Sequence, residues 1–448
     1  MNLEASMNTV LKSRIAENPL ERKQAAQTAN LHVLFGAWLG ELFDGMDASM
    51  FVLVLVPALS ELLKTSAPRE IGPAAAIVLA TFMIGWAFGA MFFGYLADKL
   101  GRARVMTLTI LVYALSSGLC AFSHSLSELA IYRFFTGFGI GGEITIGAVL
   151  VSECWQGAKR LHALSFLTSS FGFGYLIAAV LNLFVGAISW RLLFLAGVLP
   201  AFLTLYVRSK IAEPKEFKRM KDLAQYLPAV HGSQLRVNPV KLCLSRTYRG
   251  KVLSIATLAT TVIVGYWSAL AWIPSWVSQI VGGPALAEKS FTAIVMNVAA
   301  IIFSFLGGFL VHKIGRQRSL QIAFLGSFIS IVAMFFLIKA YGAALLTLVF
   351  LVGGFASLPF TIMFIYVPEI FPIQARGTAF GISVQTGRIC AALACLLGGQ
   401  IIACFGGSYG AAGTTIAFIY IFGFLATFFM PPSSGEIESL YETELTPV

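Results

Sequence analysis

Three carboxylates in the first long apolar run are the residues whose types and spacing best suit chemistry. Glu41, Asp44 and Asp47 follow one another at intervals of three residues. In an α-helix these positions cover an arc of only about 120°, so they share one face. An ionisable group inside a membrane-spanning helix is costly, and its presence points to a site or a pathway. Crowded carboxylates repel each other, which favours a bound proton on at least one of them. We therefore expect this face to bind and release protons.

A second set of charged residues lies in the fourth apolar run. Arg133 and Glu143 flank the glycine-rich stretch Gly137–Gly142, which offers a surface for close helix packing. Ten helical residues span about 15 Å, so the two side chains are not direct partners. Two alternative roles are open for Arg133: it connects helices structurally, or it takes part in a proton relay. Glu143 is expected to face the same interior as the carboxylates of the first run and joins them as a candidate for proton coupling.

The eleventh apolar run carries one basic residue near its middle, Arg388, and no acidic residue that could neutralise it. A guanidinium can bind a carboxylate through two parallel hydrogen bonds, so Arg388 is a candidate to bind an anionic ligand. The alternative is a fixed ion pair with Asp44, Asp47 or Glu143. Further candidates to line the same site are aromatic and amide side chains of the second half of the chain: Tyr266, Trp267, Asn297, Phe360, Phe364 and Gln385.

The composition excludes an ordinary soluble protein. Of 448 residues, 58% are hydrophobic and 12% are charged. A soluble protein would carry about twice that charged fraction. The net charge of +10 does not indicate nucleic-acid binding, because the basic residues form short clusters between apolar runs. The six cysteines lack metal-ligand spacing, and we expect them to be small core residues.

The elements that must position these residues are apolar runs long enough to cross a bilayer. The sequence therefore predicts an all-α membrane protein with 12 transmembrane helices. The twelve predicted spans are 31–58, 74–97, 105–123, 128–151, 162–187, 190–208, 252–279, 290–311, 319–339, 343–367, 378–402 and 409–430.

The distribution of Lys and Arg predicts the orientation. The two tails and the alternate loops on their side hold 24 of these residues, whereas the opposite loops hold five. Basic residues accumulate on the cytoplasmic side, so both termini should be cytoplasmic. The predicted domains are an N-terminal tail (1–30), a six-helix half (31–208), a cytoplasmic linker (209–251), a second six-helix half (252–430) and a C-terminal tail (431–448).

Two basic hairpins indicate an internal repeat. The segment Gly94–Arg104 joins the second and third spans, and Gly308–Arg318 joins the eighth and ninth, 214 residues later. Two Glu and Arg pairs repeat at a similar offset of 216 residues: Glu153 with Arg160, and Glu369 with Arg376. Two parallel halves of six helices, related by pseudo-symmetry, account for this spacing.

The first hairpin resembles the motif that the major facilitator superfamily carries between its second and third transmembrane helices, and the resemblance covers the whole chain. Phe43–Asp47, Gly141–Glu143 and Pro368–Pro372 are similar to the organic-acid branches, which include nicotinate permeases, sialate and lactate proton symporters and aromatic-acid symporters. Arg388 is similar to the intramembrane arginine of organic-anion transporters. The chain departs from the motif at His312, which stands where the first hairpin has Asp98.

The resemblance implies a set of gating residues in and near the hairpins. Glycine allows close helix approach and tight turns, and the carboxylate of Asp98 can lie against the N-terminus of a neighbouring helix or an arginine. The gating candidates are Gly94, Asp98, Gly101, Arg102, Arg133, Glu153, Arg160, Gly315, Arg316, Glu369 and Arg376.

We therefore expect a proton-coupled importer of a small organic anion, such as a monocarboxylate or an aromatic, nicotinate-like acid, that works by alternating access. It would use the proton gradient without a cofactor or metal, bind no nucleic acid, and lie as a monomer in a bacterial inner membrane. One alternative is an organic-cation or drug/proton antiporter that binds its substrate at the acids of the first span, against which Arg388 argues. Another is a non-transporting membrane sensor. An enzyme is disfavoured because no nucleophile–base set is evident.

Overall fold

The computed structural model describes residues 19–65, 67–186, 188–211, 213–214, 217–219, 238–282 and 285–432. Over these ranges the chain is almost entirely helical, and eleven helices are long and apolar enough to cross a membrane. In chain order the α-helices are α1 (Pro19–Leu63), α2 (Pro68–Leu100), α3 (Arg102–Cys120), α4 (Leu126–Cys154), α5 (Gly157–Leu181), α6 (Trp190–Ala196), α7 (Pro200–Lys210), α8 (Pro239–Cys243), α9 (Arg249–Ala271), α10 (Ile273–Val281), α11 (Leu286–Ile314), α12 (Arg316–Leu337), α13 (Ala343–Ile370), α14 (Arg376–Cys404), α15 (Tyr409–Ala417) and α16 (Ile419–Ala426).

The predicted all-α fold is confirmed, with the spans in the predicted order. Spans 1 to 5 are α1 to α5, and spans 8 to 11 are α11 to α14. The seventh span is α9 continued by α10, and Pro274 lies in the first turn of α10, where its missing N–H leaves no hydrogen bond unmade. The twelfth span is α15 followed by α16.

The sixth span differs from its prediction of one helix over 190–208. It consists of α6 and α7, which are interrupted between Ala196 and Pro200. Gly197 lowers helix propensity at the interruption, and the proline ring cannot continue a helix through the preceding turn. The sixth span is therefore built from two helical segments, as are the seventh and the twelfth.

The ends of the predicted domains also differ. The first helix begins at Pro19, twelve residues before the predicted start of span 1, because proline suits a first helical turn and strong helix formers follow it. Of the predicted N-terminal tail, residues 1–18 lie outside the described residues. Of the predicted linker, the described part includes α8 and the first turn of α9. The predicted C-terminal tail lies outside the described residues beyond position 432.

Helix packing repeats between the two halves, which confirms the internal repeat. In the first half α1 packs against α5 and α2 against α4; in the second half the equivalent pairs are α9 with α14 and α11 with α13. Two equivalent contacts join the halves, α2 with α14 and α5 with α11. At the first of these, a Cβ on Gly94 would clash with the backbone carbonyl of Gly377, so glycine permits the close approach.

Candidate substrate cavity, proton site and gate

A cavity of about 90 Å³ lies between the two halves. This exceeds the roughly 10–15 Å³ that one water molecule needs by the same kind of measure, so the cavity has room for a small solute. Six of the seven residues proposed from the sequence to contact the substrate line it: Tyr266, Trp267, Asn297, Phe360, Phe364 and Arg388. The first half contributes Glu41, Ile144, Thr168, Phe171 and Gly172. The lining is thus aromatic and polar, with one acidic and one basic side chain.

Several polar residues of the lining could not be recognised in the sequence. Ser304, Ser357 and Thr361 belong to the second half, and Thr168 of the first half contacts Thr361 through a hydrogen bond of 2.8 Å. Serine and threonine are common in membrane helices because they bond the preceding helical turn, as Ser304 does with the carbonyl of Ala300. Such residues carry no signal of a binding site.

Arg388 is held in a fixed orientation with part of its guanidinium free. The group lies over the indole ring of Trp86, 3.4 Å from the ring centroid, and its Nε donates to Oε1 of Gln385 at 2.6 Å. Within the described residues its Nη1 has no hydrogen-bond partner. Trp86, on α2, was not recognised from the sequence. A cation–π contact and one hydrogen bond therefore hold the guanidinium while leaving a donor available.

Gln385 differs from its prediction as a substrate contact. Its amide oxygen is engaged by Arg388 one helical turn further along α14, and the residue is absent from the cavity lining found in the described part of the chain. The pair is a normal (i, i+3) neighbour contact on a helix. Gln385 orients the arginine and does not reach the cavity.

The carboxylates of Glu41, Asp44 and Glu143 come together between α1 and α4. All three are buried, and the carboxyl groups of Asp44 and Glu143 are close enough to interact. Gly40 provides the space for the Glu143 side chain, because a Cβ there would clash with its carboxylate. Two carboxyl groups in contact cannot both be ionised cheaply, so this pair is suited to hold a shared proton.

Asp47 is paired outside this cluster, and its role as a proton-coupling residue stays a prediction. Its carboxylate accepts from Nη1 of Arg133 at 2.9 Å and from the hydroxyl of Ser117. The rings of Phe51 and Phe82 lie 4.1 and 4.4 Å from the same guanidinium. A charge with a buried counter-ion is not free to exchange a proton at low cost, so the geometry supports the structural role of Arg133.

The first hairpin binds the opposite half directly. Asp98 accepts hydrogen bonds from the backbone N–H groups of Gly377 and Thr378, at 3.1 and 2.8 Å, and from the Thr378 hydroxyl at 2.8 Å. These groups form the N-terminus of α14, where the helix dipole favours a negative charge. Gly101 ends α2 at φ +115°, a conformation that glycine adopts readily.

Arg102 extends this contact. Its guanidinium pairs with both oxygens of Glu153 at 3.1 and 3.0 Å, and its Nη2 donates to the carbonyl of Ile373 in the second half at 2.8 Å. The carboxylate of Glu213 accepts from the backbone N–H groups of Arg102 and Ala103 at 2.7 and 3.0 Å, at the N-terminus of α3. The two halves and the segment after α7 therefore meet at this hairpin.

The second hairpin repeats part of the arrangement. Arg316 pairs with both oxygens of Glu369 at 2.8 Å, and Arg160 of the first half contacts the same carboxylate at 2.9 Å. Gly315 turns at φ +83°. His312, which stands where the first hairpin has Asp98, is exposed and so makes no equivalent buried contact.

All these contacts lie on one side of the molecule, here termed the hairpin side because it carries both hairpins, and several of them join the two halves. The ion pairs that join the halves within the described ranges are Arg160 with Glu369, at 2.9 Å, and Arg376 with Glu153, at 3.9 Å. Both lie on the hairpin side. The structure is therefore closed on the hairpin side.

Sequence relatives align with most of the chain. A Haemophilus influenzae protein named "Putative metabolite transport protein" is 33% identical over 89% of this chain and 95% of the relative. A Bacillus subtilis "Putative niacin/nicotinamide transporter NiaP" is 29% identical over 82% of this chain and 87% of the relative. The Escherichia coli sialic acid transporter NanX is 27% identical over 92% and 95%. Names of further relatives refer to muconate and benzoate transport.

The fold has solved counterparts. The proton:xylose symporter XylE, bound to 6-bromo-6-deoxy-D-glucose, superposes with a TM-score of 0.76 at 19% identity, over 93% of this chain and 99% of XylE. At this level of identity the likeness bears on the fold alone. A family model described as Major Facilitator Superfamily matches residues 37–395. Because that match spans most of both halves and the halves repeat each other, the chain belongs to the major facilitator superfamily and is a membrane transporter, not an enzyme.

Proposed function

We propose that the chain takes up a small organic anion, a monocarboxylate or an aromatic acid, together with protons by alternating access. The observation that carries this proposal is the free Nη1 of Arg388 beside an aromatic cavity, in the described part of the chain. A buried guanidinium without a full set of acceptors is a binding site for a carboxylate. The organic-acid names of the relatives agree with this substrate class.

Proton coupling follows from the charges around the cavity. A single proton shared by Asp44 and Glu143 leaves one negative charge on the pair, which balances the positive charge of Arg388. A bound carboxylate adds a second negative charge in a region of low dielectric constant, where net charge is costly. That charge favours a second proton on the Asp44–Glu143 pair. Substrate and proton would therefore be bound and released together.

The hairpin side would be the cytoplasmic side of a bacterial inner membrane, with both termini cytoplasmic and the protein a monomer. The Lys and Arg bias supports this orientation. In this orientation the closed hairpin side corresponds to an outward-facing state. A cysteine introduced at Gln225, in the basic linker, should react with an impermeant maleimide only after the cells are opened. Reaction from outside intact cells would overturn the orientation.

Binding to Arg388 variants tests the substrate class. Purified wild-type protein should bind labelled aromatic acids and monocarboxylates from a panel. Arg388→Gln should lose roughly 2–5 kcal/mol of binding free energy, and Arg388→Lys should be weakened because lysine cannot make the bidentate contact. Arg104→Gln, which removes an exposed arginine, is the matched control and should bind normally.

Two outcomes would contradict this assignment. Normal acid binding by Arg388→Gln, with transport restored only when Asp44 or Glu143 is also neutralised, would make Arg388 an internal counter-ion. The acidic residue Glu41 in the cavity lining favours the organic-cation antiporter as a second candidate. A labelled organic cation that binds wild type and Arg388→Gln equally, while acids do not bind, would support that candidate.

A further inference from the structure

Glu41 is a residue of the cavity lining, and the packing of the fold does not explain why its carboxyl group is buried there. Its side chain is 2% exposed, on α1, facing the cavity from the first half. Ser170 Oγ lies 3.4 Å from Oε2, but that hydroxyl already donates at 2.5 Å to the carbonyl of Leu167. Among the described residues Oε1 has no hydrogen-bond partner. A buried polar atom of this kind is expected to have a partner, and the cavity is where one can enter.

The surroundings of Glu41 favour its neutral form. Glu143 is the charged group that acts most strongly on it, and Asp44 is also close enough to interact. Neither can serve as a counter-ion, and no lysine, arginine or histidine pairs with Glu41 in the ranges that the structure describes. In the neutral form, the O–H of the carboxyl group is a hydrogen-bond donor and its carbonyl oxygen is an acceptor.

Glu41 and Arg388 face the cavity from opposite halves. They are the acidic and the basic residue of the lining found in the described residues, Glu41 on α1 and Arg388 on α14. The same lining includes the rings of Trp267, Phe360 and Phe364, which suit a flat ligand. A ligand that contacts both residues would connect the two halves, which a transporter must close around its substrate.

From this arrangement we infer that Glu41 is a specificity-determining residue that binds a second polar group of the substrate. The preferred substrate is then a small aromatic acid whose carboxylate contacts Arg388 and whose ring nitrogen or hydroxyl group contacts Glu41. This inference rests on the proposed function, because it takes Arg388 as the carboxylate site. Asp44 and Glu143 do not line the cavity and keep the proton-coupling role.

Binding of two nearly isosteric acids to the purified full chain tests the inference. Benzoate and pyridine-3-carboxylate differ only in one ring atom, and 3-hydroxybenzoate adds a hydroxyl group. Wild type should prefer the two acids with a second polar group over benzoate by roughly tenfold, as for one hydrogen bond to a buried donor. Glu41→Leu should abolish that preference while its affinity for benzoate stays close to that of wild type. Glu41→Gln, which keeps an N–H donor, should retain part of the preference.

The controls separate this inference from the proposed function. Benzoate binding by Glu41→Leu shows that the variant is folded. Glu70→Gln removes an exposed carboxyl group that has no place in the cavity or the proton site, so it should leave the preference ratio unchanged. If acids bind in an Arg388-dependent manner but the ratio is the same in wild type and Glu41→Leu, the specificity role of Glu41 is refuted and the proposed function stands. If wild type binds none of the three acids, the inference is refuted. If it also binds no monocarboxylate of the wider panel, the proposed function is refuted as well.

Discussion

Arg133 and Asp47 form a buried ion pair between α4 and α1, with 2.9 Å between Nη1 and Oδ2 and side-chain exposures of 0% and 1%. Phe51, Phe82 and Phe194 surround the guanidinium, with ring centroids 4.1 to 5.7 Å away. The pair is thus a polar connection inside an aromatic cluster. Removing one partner of such a pair leaves the other charge buried without compensation.

Asp47→Asn should therefore destabilise the protein. The expected loss is about 3–5 kcal/mol of unfolding free energy. The double variant Asp47→Asn/Arg133→Met should recover much of it, because neither charge is then left alone. Thermal unfolding in detergent measures this. Asp44→Asn is the matched control, since it makes the same chemical change one turn away and removes a repulsion. If Asp47→Asn unfolds at the wild-type melting temperature but has lost proton-driven accumulation, Asp47 is a proton-coupling residue and not a structural one.

Asp44 and Asp47 show which part of the site could be predicted from the sequence and which part could not. Their spacing predicted a shared, buried face, which is what α1 presents. The spacing could not predict that Asp47 faces Arg133 whereas Asp44 faces Glu143, because that depends on how α1 is rotated against α4. Arg388 could be singled out because a charge in an apolar run is conspicuous. Trp86, which lies beneath it, could not, because a tryptophan in such a run is ordinary.

Repeated motifs were informative over longer distances. Two hairpins 214 residues apart predicted two equivalent halves, and the helix contacts repeat accordingly. Asp98 was proposed to meet a helix N-terminus or an arginine, and it contacts both, α14 and Arg102. The interruption of the sixth span was missed because hydropathy over 190–208 is continuous, whereas helix geometry depends on the single residues Gly197 and Pro200.

Proton coupling should depend on Asp44 and Glu143. Asp44→Asn or Glu143→Gln replaces a proton-binding group by an amide that cannot titrate, so accumulation driven by a pH gradient should be lost. Binding and substrate exchange across proteoliposomes should persist in part, because the cavity lining is unchanged. Glu70→Gln, at an exposed acidic residue, is the control. If both variants accumulate substrate like wild type, the proton site lies elsewhere.

The first hairpin should control the balance of conformations and not the choice of substrate. Asp98→Asn removes the charge that meets the N-terminus of α14, worth about 0.3–2 kcal/mol. In a two-state equilibrium this shifts populations by roughly two- to thirty-fold, so transport should slow. The ranking of accepted substrates should stay the same. His312→Asn, at the equivalent exposed position of the second hairpin, should have a much smaller effect. An altered ranking with a normal rate would contradict a gating role for Asp98.

Trp86 should determine how well Arg388 binds an anion. The indole ring lies 3.4 Å from the guanidinium carbon and shares the burial of that group, so it helps to hold the positive charge in place without neutralising it. Cation–π contacts contribute about 0.5–2 kcal/mol, and more when the groups are desolvated. Trp86→Leu should therefore weaken binding of a carboxylate by roughly two- to thirty-fold, whereas Trp86→Phe, which keeps an aromatic face, should lose less. Titration of the purified variants with benzoate measures both.

A structural role alone would give a different result for Trp86. Trp38, on α1, is the matched control, because it stacks on Phe166 at 5.5 Å and does not contact Arg388 in the described part of the chain. Trp38→Leu should lower the melting temperature without a comparable loss of benzoate affinity. If Trp86→Leu likewise lowers the melting temperature but binds benzoate like wild type, the tryptophan only fills space. If affinity falls in the order wild type, Trp86→Phe, Trp86→Leu while Trp38→Leu keeps its affinity, the ring positions the arginine for its ligand.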